Sequence, residues 1–450
     1  MIFRIWNICL FVVFLVAYGY GDASSIALLQ VLFSLVFIYF HVRNRSLLAI
    51  SPILALAIRG ILSGFGNYYG FKSWVNQSDL DIFIIYANPA NFLESNAISF
   101  LGIYFVINGW LLAERLSFSF KKIRYVISSS FKYLMIFILA VVIRTLIYQN
   151  LLPNLGTFTN LAQWIPIFAI FFFARKAANL NDRSLDNYAR FLMVLEAVYA
   201  IFFEYLRFLM IRPFIAYILG YTTGNTRKIK WVSAKLIPIY LLIILIVPYF
   251  GVFGEQRSSV GIGLDRVNKI IEIQNIKDEE TSFETIKNVL ARQSNFNQLT
   301  SLIDLTKRNG FYQGTTLSYL AYAFIPRFIW PNKPFIAQGR WFALEIGQAR
   351  VVAGRGISNS INMTIAGELY LNYSWVGLVI GCVLAGFVFA GFWASCNFWQ
   401  DYDNLIGSFF GFYLFFLGLG DIGPDLQIFV TLIAVYLILL VLSRLLRQSF

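Results

Sequence analysis

The residues of this chain best suited to chemistry lie on the proline-rich segment 325–334, which carries Arg327, Trp330 and Lys333. Three prolines within nine residues hold the backbone φ angle at about −65° and exclude a regular helix. Both cations are therefore carried on a stiff backbone, beside an indole ring. Guanidinium and ammonium groups bind phosphate oxygens, and an indole face packs against the apolar face of a sugar. A second interpretation stays open, in which the prolines only turn the chain.

Candidate general bases are few in this sequence. Glu255 stands two residues before Arg257, and Glu368 stands in the run Gly-Glu-Leu-Tyr that ends at Tyr370. Either carboxylate is suited to take a proton from a sugar hydroxyl. Either is equally suited to a structural ion pair, which is the commoner role of such residues. Arg257 adds one more cation to the candidate phosphate ligands.

No metal or cofactor is expected from the sequence. Asp79 and Asp81 form an Asp-x-Asp pair, but Ser78 and Asp79 before an apolar run are also typical of a helix start, which we favour. His41 is the only histidine, so a multi-histidine metal site is excluded, and we expect this side chain at the membrane interface. The chain has no G-x-x-x-x-G-K-[ST] loop, so nothing supports ATP-driven transport.

Composition places these residues in a membrane protein. Hydrophobic residues make up 58% of the chain, charged residues only 13%, and the mean hydropathy is +0.67. Soluble domains contain about 25% charged residues. The net charge of +13 does not indicate nucleic acid, because the cytoplasmic loops of membrane proteins collect lysine and arginine.

Apolar runs predict an all-α polytopic membrane protein with about twelve transmembrane helices. The first run begins near the N-terminus without a cleavage site, so we expect it to be retained. The predicted spans are 5–20, 25–40, 47–66, 97–113, 125–148, 161–174, 190–205, 211–223, 236–253, 374–395, 404–420 and 426–443.

Basic clusters predict the orientation of the spans. With twelve spans, five clusters fall on one side, which is then cytoplasmic, and both termini lie inside. The least secure division is 190–223, which we treat as a hairpin rather than one tilted span. The clusters are Arg43–Arg45, Arg115–Arg124, Arg175–Arg190, Arg227–Lys235 and Arg444–Arg447.

Arginines in or beside the predicted spans form a second group of candidate ligands. Arg59 lies in the outer half of the third span, Arg144 near the outer end of the fifth, and Arg212 beside an external hairpin. Ionisable residues inside the membrane are costly and usually functional. We expect these side chains to converge with the loop cations at the outer boundary. In the alternative, such arginines only extend to the lipid headgroups.

The long polar segment 254–360 is predicted to be a folded external subdomain between two transmembrane parts, 1–253 and 361–450. Thr281-Ser-Phe-Glu284 is a capping box, apolar residues follow at helical spacing, and Gly310 suits a helix end. Residues 324–360 carry five basic residues against one acid, Glu345. This local excess of positive charge favours binding of an anionic ligand.

Two motifs resemble those of a known family. The run Pro326-Arg-x-x-Trp-Pro-x-Lys-Pro334, followed by Gly367-Glu-Leu-Tyr-Leu-Asn-Tyr-x-Trp-x-Gly377, resembles the signature of bacterial oligosaccharide repeat unit polymerases, the Wzy-type O-antigen and capsule polymerases. The layout, with many spans and a large late external loop, is similar too. The motifs cover about fifty residues, and the likeness in layout covers the whole chain.

The resemblance implies a GT-C-like, metal-independent glycosyltransferase without a cofactor. Its substrates would be an undecaprenyl-diphosphate-linked glycan donor and acceptor, at the outer face of the inner membrane. A chain-length regulator protein is a candidate partner. The implied sites comprise a base, Glu368 or Glu255, diphosphate ligands Arg327, Lys333, Arg59, Arg144, Arg212 and Arg257, and sugar-binding Trp330 and Trp341.

Other functions stay open. O-antigen ligases resemble these polymerases in layout, but they typically carry a histidine in the external loop, whereas His41 is predicted to be cytoplasmic. A lipid-linked oligosaccharide flippase or another transporter would line a path with the arginines, and it would show repeats and a central cavity. A structural membrane scaffold leaves the arginines inside the spans unexplained.

Overall fold

The computed structural model describes about three fifths of the chain. The described residues are 2–44, 51–75, 88–120, 138, 141–142, 145–146, 157–203, 207–224, 294–323, 325, 330, 332–334, 338–352, 356–357, 360–396 and 405–419.

Within these residues the fold is almost entirely helical. One short antiparallel ladder pairs β1 (Val351–Val352) with β2 (Gly356–Ile357), and Pro89–Asn91 and Thr315–Ala321 are 3-10 helices. The α-helices are α1 (Ile2–Gly19), α2 (Ala23–Asn44), α3 (Pro52–Val75), α4 (Phe92–Arg115), α5 (Thr157–Leu180), α6 (Arg183–Phe203), α7 (Arg207–Gly224), α8 (Phe296–Asn309), α9 (Gln338–Glu345), α10 (Ile365–Cys396) and α11 (Leu405–Leu419).

Nine of the twelve predicted apolar segments coincide with helices among the described residues. The segments 125–148, 236–253 and 426–443 lie wholly or mostly outside them. In the described part of the chain, three stretches are long and apolar enough to cross a membrane: Ala23–His41, Pro89–Arg115 and Ile365–Cys396. The chain is therefore an α-helical protein with the helices of a membrane protein.

Close backbone contacts hold the helices together. A Cβ atom added to Gly109 of α4 would lie 2.1 Å from the carbonyl oxygen of Val383, and one added to Gly386 of α10 would lie 2.0 Å from that of Val106. In the same way, a Cβ atom added to Gly220 of α7 would lie 2.2 Å from the carbonyl oxygen of Phe171 on α5. Small residues let helix backbones approach where no hydrophobic effect drives association.

The hairpin predicted within 190–223 is confirmed. The Tyr217 hydroxyl of α7 donates to Asp186 Oδ1 of α6 at 2.6 Å and accepts from Arg190 Nε at 3.0 Å. Asp186 and Arg190 lie near the start of α6, whereas Tyr217 lies in the second half of α7. Residues far from the break on both sides are therefore in contact, so α6 and α7 are antiparallel. Arg175, part of a basic cluster in the sequence, is buried in the helix packing and donates to Ser408 Oγ.

α10 is broken near its start, and this break positions the site described below. Tyr373 has φ −136° and Ser374 has φ 60° and ψ −154°, a region that only glycine adopts without strain. The short arm 365–372, named α10a, folds back on the long arm 375–396, named α10b. Accordingly, a Cβ atom added to Gly381 would lie only 2.5 Å from Cδ2 of the Leu369 side chain.

Contacts along α4 show the direction of both arms. In α10a, Ala366 packs on Gly102, whereas Tyr370 donates to Glu94 near the start of α4. α10b then runs the other way, because its Gly391 carbonyl accepts from Phe120 N beyond the end of α4. The N-terminus of α10a therefore lies inside the bundle, nearly halfway along α4.

α8 packs across one end of the bundle, which we name the cap end. Asn88 and Asn91, just before α4, donate to Asp304 Oδ1 at 2.9 and 2.7 Å. Buried apolar residues of α8 face the bundle, and Gly310 ends it with φ 76°. The amphipathic helix predicted to end at Gly310 is confirmed over Phe296–Asn309, and its apolar face is buried. Residues 294 and 295 are not helical, so this helix does not continue back to the capping box 281–284, which lies outside the described residues.

Candidate functional site

Glu368 lies on α10a and is 3% exposed. Its carboxylate accepts hydrogen bonds from Thr316 Oγ1 at 3.4 Å and from Tyr319 Oη at 3.2 Å. Both hydroxyls belong to the 3-10 helix that follows α8. The apolar run of α10 carries the acid, and the polar segment before it supplies the donors, so the site joins two parts of the chain about fifty residues apart.

Asn372 fastens the 312–323 segment to α10a. Its side-chain nitrogen donates to Thr316 Oγ1 at 2.7 Å, and its side-chain oxygen accepts from Gly314 N at 2.8 Å. Its backbone carbonyl accepts from Gln313 N at 3.0 Å. Asn372 is fully buried. No role is assigned to Asn372 from the sequence alone; the signal that could have identified it is a polar residue one turn after Glu368 within an apolar run.

Tyr319 is held as a hydrogen-bond donor. Burial raises the pKa of its phenol, and the charge of Glu368 and their hydrogen bond raise it further. The phenol therefore stays protonated at neutral pH, and its proton points at the carboxylate.

The two candidate sugar-binding tryptophans lie along the same segment. Trp341 of α9 meets Tyr312 edge to face, with ring centroids 5.3 Å apart. Trp330 is 39% exposed and meets Tyr322 at 6.0 Å. Both rings are thus positioned by aromatic partners at the two ends of the 312–323 segment.

The Lys333 ammonium group is bonded within the protein and does not face an open site where it could bind a phosphate. Its side chain is buried, and its ammonium group donates to the backbone carbonyls of Ala323 at 2.9 Å and Ile325 at 2.7 Å. These bonds tie the proline-rich segment to the end of the 3-10 helix. The geometry favours the interpretation in which this lysine shapes the loop.

Arg59 lines an interior cleft between α3, α4, α8 and α10a. It is the eighth residue of the 24-residue α3. Its Nη2 donates to Asn295 Oδ1 at 3.5 Å, and Asn295 N is held by Asn67 Oδ1 at 3.0 Å. Thr364 and Ile365, just before Glu368, line the same cleft.

Arg212 lies elsewhere. It is buried, and its guanidinium carbon stands 4.5 Å over the ring centre of Trp164 on α5, a cation–π contact. The structure therefore gathers Glu368, Trp330, Trp341 and Lys333 around one segment, with Arg59 near the start of α10a. The remaining candidates, Arg144, Glu255, Arg257 and Arg327, lie outside the described residues.

Glu94 and His41 also make specific contacts. Glu94, which no motif marks, accepts from Tyr370 and lies 3.9 Å from Lys307 Nζ at the cap end. His41 is buried, stacks on Phe37 and shares a 3.1 Å hydrogen bond with Ser51 Oγ.

Comparison with protein-family models, curated proteins and solved structures finds no match for this chain.

Proposed function

We propose that this chain polymerises undecaprenyl-diphosphate-linked oligosaccharide repeat units into a surface polysaccharide at the outer face of the bacterial inner membrane. It is then a GT-C-like glycosyltransferase with about twelve spans, and its cap end faces outward. The observation that carries the proposal is the Glu368 carboxylate, which lies where a broken apolar helix meets a polar cap. Donor and acceptor glycan lipids are its partners, and a chain-length regulator protein is a further one.

The reaction joins two glycans without a metal ion or cofactor. The acceptor hydroxyl oxygen bonds to the anomeric carbon of the donor as the bond from that carbon to the diphosphate oxygen breaks. The hydroxyl proton passes to Glu368, with Glu255 as the second candidate base. Prearranged cations stabilise the charge on the departing undecaprenyl diphosphate. The candidate cations are Arg327, Arg59, Arg144 and Arg257, because Lys333 bonds carbonyls of its own loop and Arg212 packs on Trp164 away from the site.

Access to the base requires movement. Because Glu368 is 3% exposed, an acceptor hydroxyl reaches it only when the 312–323 segment shifts away from α10a. The rings of Trp330 and Trp341 lie along that segment and offer flat faces to sugar rings. Binding of the acceptor glycan to these rings is therefore coupled to exposure of the carboxylate.

The test uses purified full-length protein in proteoliposomes with undecaprenyl-diphosphate-linked repeat units, and polymer is resolved by gel electrophoresis. Glu368→Gln keeps the side-chain volume and removes the base, so the rate should fall roughly a hundredfold or more. Glu345→Gln, at the exposed last residue of α9 in the same region, is the matched control and should keep the rate. A normal rate from Glu368→Gln would remove this carboxylate from the chemistry.

A lipid-linked oligosaccharide transporter is the second candidate, and one observation favours it. The short arm α10a begins inside the bundle beside Arg59, and broken helices at interior sites are typical of secondary transporters. Repeat units that cross the proteoliposome bilayer without forming polymer would favour this function over polymerisation.

A further inference from the structure

The interior cleft beside Arg59 combines three features that each favour a negative charge. It is lined by side chains of α3, α4 and α8 and by the start of α10a, including Arg59, Ser63, Ser99 and Asn295. No aspartate or glutamate is among its lining residues in the described part of the chain. Its volume is about 20 Å³, which is room for one water-sized particle.

The first feature is the N-terminus of α10a. Thr364 caps this arm, because its Oγ1 accepts from Gly367 N and its carbonyl accepts from Glu368 N, both at 3.0 Å. The amides of Ile365 and Ala366 are the first two of the helix, so no carbonyl one turn earlier can accept from them. Both residues line the cleft, and a helix N-terminus carries partial positive charge.

The second feature is Ser99 of α4. This side chain is 7% exposed and lines the cleft. Among the described residues, its hydroxyl oxygen has no hydrogen-bond partner, although serines in helices commonly donate to a carbonyl one turn earlier. Ser95, one turn before it, does have a partner, since it donates to Phe92 O at 3.0 Å. A buried hydroxyl without a partner is costly, and a ligand in the cleft would satisfy it.

The third feature is the Arg59 guanidinium, which lines the same cleft. The side chain is half-buried, and its Nη2 donates to Asn295 Oδ1 at 3.5 Å. A guanidinium group attracts an anion and binds its oxygens.

We propose that the N-terminus of α10a, Arg59 and Ser99 form an anion site inside the bundle, sized for chloride or for a single oxygen of a phosphate group. The two amides and the Ser99 hydroxyl donate to the anion, and the positive charge of Arg59 adds to the attraction. The site rests on the packing of α10a against α4 and does not require that the protein polymerise glycans.

Thermal unfolding of the purified full-length protein in a neutral detergent tests the site. Sodium chloride, sodium phosphate and dodecyl phosphate are titrated separately, with sodium gluconate at equal ionic strength and dodecanol as blanks. At a concentration one hundred times Kd, a bound anion should raise the midpoint of a 450-residue chain by about 3 °C. The rise should saturate.

Matched variants separate this site from general salt effects. Ser99→Ala should weaken the anion roughly tenfold or more, and Arg59→Gln should weaken it further. Ser95→Ala, on the same helix with a satisfied hydroxyl, and Arg308→Gln, on the exposed face of α8, should keep the affinity. If a variant at the site does not fold, the response of the unaltered protein to anions still decides the proposal.

Each outcome has a defined meaning. A saturating response to chloride alone supports a site for a monatomic anion. A response to inorganic phosphate supports a free phosphate, and one to dodecyl phosphate alone supports a lipid phosphate. The proposal is overturned by equal midpoints in all salts, or by a response that Ser99→Ala and Arg59→Gln leave unchanged. If the unaltered protein binds the anion but forms no polymer from repeat units, the proposed function is rejected and this site stays in place.

Discussion

Replacement of Asn372 by alanine should release the 312–323 segment from α10a. The Asn372 side chain donates to Thr316 Oγ1 and accepts from Gly314 N, at 2.7 and 2.8 Å. Its third hydrogen bond, to the Glu368 carbonyl within its own helix, adds little to the link between the two segments. The substitution removes two bonds between the segments while both helices keep their own backbone bonds.

The magnitude follows from these contacts. Loss of the bond to Thr316 costs about 1 kcal/mol, and the Gly314 amide left without its acceptor costs about 2 kcal/mol. The free energy of local opening should therefore fall by about 3 kcal/mol, which corresponds to a roughly hundredfold rise in the exchange rate of protected amides.

Hydrogen exchange followed by mass spectrometry measures this change directly. Peptides that cover 312–323 should exchange faster in Asn372→Ala, while those of α4 should not. Asn309→Ala is the control, because Asn309 donates to Tyr312 Oη from an exposed position, and it should change the rate less than about fivefold. Unchanged exchange of 312–323 in Asn372→Ala would refute the assigned role of this side chain.

The remaining predictions concern the loop, the helix packing and the topology. Arg327→Ala should lower the polymerisation rate about a hundredfold at normal protein abundance, by analogy with removal of one oxyanion donor. Arg327→Lys should also polymerise slowly, because an ammonium group does not reproduce the bidentate guanidinium. Arg444→Ala is the control, and polymer of normal length from Arg327→Ala would remove Arg327 from the site. Gly386→Ala brings a methyl group to 2.0 Å from a backbone carbonyl and should destabilise the fold by about 3 kcal/mol in denaturant unfolding, whereas Gly19→Ala meets nothing within 4 Å and should be neutral. A cysteine at Asn309 should react with an impermeant thiol reagent in cells with an intact inner membrane; labelling only after permeabilisation would invert the topology. Polymerisation should persist in excess EDTA, and loss that magnesium restores would show that a metal is required.

Helix positions were largely predictable because apolar runs and glycine breaks are local signals. The span predicted to start at residue 374 coincides with the start of α10b, since Tyr373 and Ser374 break the helix there. The arm α10a was not predicted as a helix folded back into the bundle. Its direction depends on Ala366 packing against Gly102, more than 250 positions earlier in the chain, which no local pattern contains.

The candidate site was predictable in its residue types but not in its partnerships. Glu368 was selected as an isolated acid beside an apolar run, yet the two hydroxyls that hold it come from a segment about fifty residues earlier. Lys333 was selected for its charge, whereas its ammonium group bonds two carbonyls of its own loop. Charge and spacing identify groups able to bind a ligand; only the fold decides which of them bind the protein instead.

α10a links the two candidate sites mechanically. Glu368 is its fourth residue, and Ile365, at its N-terminus, lines the cleft of Arg59. We expect this eight-residue arm to move as one unit about the strained Ser374 that follows it. A shift that exposes Glu368 to an acceptor hydroxyl would then also move the two N-terminal amides relative to Arg59. An anion in the proposed site would hold the arm in the position described here, so release of the anion and exposure of the base should accompany each other.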